Sequence, residues 1–277
     1  MRHTTGTFST ADGTPLFTQA WLPEGEPRAA ILIVHGIGEH SARYAHVAEF
    51  LVGQGDAAYT LDQRGHGQSG GLRGYVGSVD LLLDDLYAYF QTIRAANPGR
   101  KLFLLGHSMG AMLALCFTAQ HQAEMAGLIT SGAVLIPGGT FPAYQKLLAR
   151  LLGAVAPKLR LMALEGGMVS KDPAVREAYD TDPLNFHDKT YARTGSELLR
   201  LMTSARAAAR QITIPALALH GSEDVLGHPD SLDLLYDLLP TVDKTKRLYV
   251  GLYHEVFNEP ERDQVFADVA AWLAAHV

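Results

Sequence analysis

The sequence predicts an α/β fold: a doubly wound, mainly parallel sheet that carries one large insertion. Three observations predict it. Strand-length apolar runs alternate with stretches of 3.6-residue apolar spacing, the run at 30–34 is apolar at every position, and the alternation stops between about residues 137 and 209. Alternating strand and helix signals imply βαβ units. An apolar run without period-2 alternation implies a strand buried on both faces.

In chain order, strands are expected at 15–22, 29–34, 56–61, 101–105, 125–130, 214–220 and 246–250. Helices are expected at about 42–52, 79–96, 111–121, 230–239 and 260–275, where apolar residues recur at intervals of three and four. Residues 1–136 and 210–277 then form one core, and 137–209, punctuated by Pro142, Pro157, Pro173 and Pro183, form an inserted cap. Within the cap, Tyr144, Leu147, Leu148, Leu151, Leu152 and Val155 make one apolar helical stripe, with Lys146 and Arg150 outside it. Packing of this stripe on the main domain is the simpler expectation; a transient lipid-surface contact through the cap is the alternative.

Composition narrows the function. Apolar residues make up 47% of the 277 positions and charged residues 19%, enough for a full core, and no apolar run approaches a membrane span. The start of the chain has no signal-peptide pattern and the single Cys116 cannot form an internal disulfide, which points to a reducing cytoplasm. The net charge is −6, without basic blocks, so no nucleic-acid partner is expected. His254-Glu255 has no second His at zinc-helix spacing and no phosphate-binding loop is present, so no metal or other cofactor is expected. Cys116 falls among Leu113, Leu115 and Phe117, which reads as a buried structural thiol.

The chemistry concentrates at Gly106-His107-Ser108-Met109-Gly110, between the strand at 101–105 and the helix at 111–121. Ser108 thus sits where a strand turns sharply into a helix, and small residues two positions away on either side let that turn expose its hydroxyl. Gly67-Gln68-Ser69-Gly70-Gly71 matches the same pattern, but it lies in a glycine-rich stretch with no helix behind it, so Ser69 is read as a loop residue.

A serine nucleophile needs a histidine base, and the base needs an acid to orient it. On such a sheet these follow in the order Ser, acid, His, at the carboxyl ends of strands. Asp224 follows the strand at 214–220 through a polar turn, with Glu223 as its competitor. Of the histidines after it, His228 is too near in sequence and His276 lies behind the last helix, which leaves His254, between the last strand and the last helix. Backbone donors for an oxyanion are expected from Met109, directly after the serine, and from Ile37 in His35-Gly36-Ile37-Gly38.

Taken together, His35-Gly36-Ile37-Gly38-Glu39-His40-Ser41 with Arg43-Tyr44, Asp62-Gln63-Arg64-Gly65-His66-Gly67-Gln68-Ser69, Gly106 to Gly110, and His254-Glu255 with Asn258-Glu259-Pro260 resemble the monoacylglycerol lipase and lysophospholipase-like branch of the α/β-hydrolases. Ala111 departs from the second glycine that many members carry after the elbow. The resemblance implies an α/β-hydrolase fold with a cap, the triad Ser108, Asp224 and His254, and an oxyanion hole of the Ile37 and Met109 amides. It implies a serine carboxylester hydrolase acting on monoacylglycerols or similar small-molecule lipid esters, with no stable protein partner. It also places Glu39 and Arg43 near the head group, where each could equally form an ion pair that pins the loop. The alternatives are a lysophospholipase, a general short- or medium-chain carboxylesterase, an aminopeptidase, and a ligand receptor without turnover.

Overall fold

The computed structural model describes residues 1–139, 142–163 and 169–277. Its centre is an eight-stranded sheet built from β1 (Arg2–Ser9), β2 (Pro15–Leu22), β3 (Ala29–Val34), β4 (Ala57–Leu61), β5 (Lys101–His107), β6 (Gly127–Ser131), β9 (Ala216–Gly221) and β10 (Lys244–Tyr249), in the order β1-β2-β4-β3-β5-β6-β9-β10. The two pairings of β2 are antiparallel and the rest are parallel, as β3 against β5 from Ala29↔Lys101 to Val34↔Gly106.

The unbroken apolar run of β3 has a direct cause. Ala30, Leu32 and Val34 point into one core, and Ala29, Ile31 and Ile33 into a second on the opposite face of the sheet. Alternate side chains of one strand fill two cores, so every position must be apolar. The first core is covered by α2 (Val79–Ala96), α3 (Met109–His121), α6 (Ala192–Ala209) and α7 (Asp230–Leu238), through residues such as Leu82, Leu113, Leu201 and Leu235. The second is covered by α1 (Ala45–Gly53) and α8 (Arg262–His276), through Leu51, Val269 and Trp272.

β1 has no counterpart among the expected strands. Its residues are exposed at all positions but Phe8, so no apolar face marks it in the sequence; pairing with β2 at the sheet edge gives it order. After β6 the chain leaves the sheet and returns at β9 to pair with β6 again. Between them lie α4 (Ala143–Val155), β7 (Arg160–Ala163), α5 (Pro173–Thr181), β8 (Lys189–Tyr191) and α6, with β7 and β8 antiparallel.

The apolar stripe of α4 does not pack on the main domain. Tyr144, Leu147, Leu148, Leu151 and Val155 are 52% to 74% exposed. The helix docks instead through its small residues: a Cβ on Gly153 would lie 2.6 Å from Ser196 Cβ and 3.1 Å from the Ala192 carbonyl of α6. Close approach on the glycine side turns the bulky stripe outward. The side chain of Lys146 lies outside the described residues. No helix described is long and apolar enough to cross a membrane.

Candidate active site

Ser108 joins β5 to α3 with φ 55° and ψ −118°, and among the described residues it is the only non-glycine with positive φ. Such a conformation is held only where the surroundings over-determine it. Here β5 and α3 fold back so tightly that a Cβ on Gly106 would meet the Gly110 carbonyl and lie 2.7 Å from Ala111 Cα, while one on Gly110 would collide with the Val34 carbonyl at the end of β3. Both glycines are therefore required by close backbone approach. Ser69, the competing match, is held elsewhere. Its hydroxyl donates to the Asp62 carbonyl at 2.5 Å and accepts the Phe17 amide at 2.8 Å, a tie between β2 and the loop after β4.

Asp224 and His254 lie on the loops that follow β9 and β10, and the sheet places those loops side by side. His254 Nδ1 is 2.7 Å from Asp224 Oδ2, and both residues are buried. Asp224 Oδ1 accepts the amides of Leu226 and Gly227, each at 2.9 Å, and His220 Nε2 lies 2.9 Å from Oδ2. Burial pushes this carboxyl up, but His254 and the hydrogen bonds from His220 and His254 outweigh it and hold it well below the usual carboxylate range. For His254, burial pushes the imidazole down, and the charge and hydrogen bond of Asp224 override it, so its pKa lies above the usual 6.5. Glu223 is exposed and accepts from the Ser222 hydroxyl at 3.1 Å; His228 is likewise exposed, 3.4 Å from Asp230, and His276 stacks on Trp272.

Three neighbours of His254 were not evident in the sequence. His107 packs its ring 4.7 Å from that of His254 and is held neutral, burial and the adjacent His254 driving its pKa down to about 4. Gly132, at φ 57°, leaves room for the imidazole: a Cβ there would sit 3.1 Å from His254 Cε1. His220, already noted, is the second imidazole on Asp224. His107 and Gly132 act through contacts distant in sequence, and only His220, four residues before Asp224 at the end of β9, has a position that hints at its role.

Ser108, Met109, Ile37 and His254 line one cavity of about 360 Å³. Neither the Ile37 nor the Met109 amide donates to another group among the described residues. Most of the remaining wall is apolar and includes Met112, Val134, Ala149, Leu198, Leu226 and Met202.

Glu39 lines the cavity; Arg43 stands behind it. Glu39 Oε1 accepts the Gly36 amide at 2.6 Å and the Tyr44 hydroxyl at 2.7 Å, and its Oε2 accepts from Arg43 at 2.8 Å. Arg43 also makes a two-pronged contact with Glu255, at 2.6 and 2.7 Å, and stacks over the Tyr179 ring. Burial would raise the Glu255 carboxyl, but Arg43 outweighs it and brings it down to about 2. This network fixes the loop that follows β3. Further ties reach it from beyond α5: Phe186 donates its amide to the Gly38 carbonyl at 2.8 Å, and His40 Nε2 lies 2.9 Å from Asp182.

Over residues 25–261 the chain matches the sequence family described as serine aminopeptidase, S33. It is 34% identical to a monoacylglycerol lipase of Mycolicibacterium smegmatis across 98% of this chain and 96% of that one. It is 33% identical to the human monoglyceride lipase across 95% of this chain and 88% of that one. Among solved structures, a monoacylglycerol lipase of Paleococcus ferrophilus superposes over the full length of both chains with a TM-score of 0.83 at 30% identity.

Proposed function

The chain belongs to the monoacylglycerol lipase-like α/β-hydrolases, and on that premise we propose that it hydrolyses monoacylglycerols and similar single-chain lipid esters through an acyl-enzyme on Ser108. The observation that carries this reading is a mostly apolar cavity that ends at a strained serine and shares its wall with an acid-paired histidine.

In the proposed cycle His254 takes the Ser108 proton as the hydroxyl oxygen attacks the ester carbonyl. The Asp224 carboxylate holds the tautomer with Nδ1 protonated and stabilises the imidazolium. The free Ile37 and Met109 amides take the oxyanion. As the tetrahedral centre collapses, His254 gives its proton to the departing glycerol oxygen; water then attacks the acyl-enzyme by the same route in reverse. The segment that carries α4, α5 and β8 acts as a cap that roofs the acyl chain, while α6 also packs on the first core. We assign Glu39 and Arg43 to holding the oxyanion loop, because Glu39 bonds the amide next to Ile37 and Arg43 is spent on two carboxylates. The same accounting disfavours a peptidase, which needs a free carboxylate for a substrate ammonium: among the described residues the two cavity carboxylates, Glu39 and Glu255, already accept internal donors.

The direct test is hydrolysis of 1-monoacylglycerols alongside di- and triacylglycerols and lysophosphatidylcholine. Turnover of the monoacylglycerols faster than that of the other lipids is expected. Preference for lysophosphatidylcholine, or turnover of short-chain esters alone, would replace the reading with a lysophospholipase or a general esterase. The base must be neutral to accept the serine proton, so kcat/KM should fall as pH drops through a midpoint above 6.5, the direction of the His254 shift. A pH profile with its acid midpoint well below 6.5 would contradict this assignment.

We also propose that α4 meets a lipid surface. Its exposed apolar side chains stand beside exposed Arg150 and Lys158, a pattern suited to an anionic interface, and Ala149 of the same helix lines the cavity. Changing both Leu148 and Leu151 to Asp should cut binding to anionic vesicles by at least about tenfold. Hydrolysis of a monomeric water-soluble ester should be unchanged. Equal vesicle binding by variant and wild type in a sedimentation assay would count against the contact.

A further inference from the structure

The inner end of α6 carries an unexplained glycine. The helix has three occupied sides. Thr194 and Glu197 face the start of α2 and the loop before it, where Thr194 accepts the Val76 amide and Glu197 the Val79 amide, each at 2.9 Å. Leu201 and Ala205 sit in the first core, and Ala192 and Ser196 face Gly153 of α4. The remaining side bears Gly195, Leu198, Leu199 and Met202, spaced i, i+3, i+4 and i+7, and all four line the cavity that holds Ser108.

Glycine weakens a helix interior relative to alanine, so a glycine there calls for a reason. At Gly106, Gly110 and Gly153 the reason is a neighbour that a Cβ would strike. Gly195 has none among the described residues: a Cβ there meets no atom of theirs within 4 Å beyond its own stretch of helix, and its φ is not positive. What the missing side chain provides is empty space on the cavity wall. From Gly195 to Met202 that wall runs roughly 10 Å along the helix axis, at 1.5 Å per residue.

We infer that Gly195 sets the length of acyl chain the cavity accepts, by leaving open a volume that any larger residue would fill. The inference rests on the proposal that the cavity holds the acyl part of an ester. A chain lying along the α6 wall passes Gly195, and a side chain there displaces methylenes from an apolar site into water. Each methylene so displaced is worth about fourfold in binding.

The test compares wild type, Gly195→Ala and Gly195→Leu on p-nitrophenyl esters from butyrate to hexadecanoate. These esters lack glycerol, so the ratio of long- to short-chain kcat/KM reads the acyl wall alone. A wild type graded by chain length on them but slow on monoacylglycerols would overturn the head-group reading and leave this inference standing. In Gly195→Leu, butyrate hydrolysis should persist while the dodecanoate-to-butyrate ratio falls by about tenfold or more, the loss of two or so methylenes. Gly195→Ala, which enters open space and strengthens the helix, should shift the ratio the same way by up to about fourfold. An unchanged ratio in both variants, or equal loss on all chain lengths in a folded protein, overturns the inference.

Discussion

Replacing Ser108 by alanine should leave the protein folded and reduce ester turnover by about 10⁵- to 10⁶-fold, the scale seen when a catalytic serine is removed from a triad. The residual rate would come from oxyanion donors and substrate positioning, which the substitution does not touch. Ser69→Ala should keep most activity, since that hydroxyl is committed to Asp62 and Phe17 on the other side of the loop. The strain at Ser108 supplies a second, independent readout. A non-glycine residue at φ 55° and ψ −118° costs on the order of 1–3 kcal/mol. Alanine keeps that cost and glycine relieves it, so Ser108→Gly should unfold at a higher temperature than wild type while being as inactive as Ser108→Ala. The offset from glycine's greater unfolded-state entropy, about 0.5–1 kcal/mol, reduces the gain without reversing it. Calorimetry of the two variants beside wild type checks this; a Ser108→Gly protein less stable than Ser108→Ala would mean that the turn is not strained.

Asp224→Asn should lower turnover by about 10⁴-fold with little change in KM. The carboxylate accepts from His254 Nδ1 at 2.7 Å and thereby leaves Nε2 as the acceptor that faces the cavity. An amide in its place can present its nitrogen to His254 and favour the wrong tautomer. Stability should also change with a definite sign. The Asp224 pKa in the folded protein is depressed below 3.8, so the carboxylate contributes stability that is present above that value and fades as pH falls through the depressed pKa. The variant should therefore be the less stable protein at neutral pH, with the difference closing only in strong acid. Steady-state kinetics and acid unfolding measure the two effects, and near-normal turnover would transfer the acid's role to another residue.

The strands that position these groups are legible in the sequence because both faces of the central sheet are buried. β3 is apolar throughout and β5 from Leu102 to Leu105, and Ser108 and Asp224 each stand beyond the end of such a run, whereas His254 follows β10, an edge strand of mostly polar residues. β1 escapes notice because an exposed edge strand has no apolar signature, and α6 because Gly195 and several alanines dilute its helical stripe. The orientation of α4 is not legible either. Its stripe has the spacing of a packing face, and only the fit of Gly153 against α6 shows that the opposite side docks. His107, Gly132 and Glu255 meet the site through packing between loops far apart in sequence, which local patterns cannot reveal.

The most direct test of the account is covalent: label the protein with a long-chain alkyl fluorophosphonate, with and without excess monoacylglycerol, and map the adduct by mass spectrometry. The account predicts one adduct, on Ser108, whose formation monoacylglycerol slows by occupying the same cavity. An adduct on Ser69 or any other residue, or labelling of Ser108 at a rate indifferent to monoacylglycerol, would contradict it.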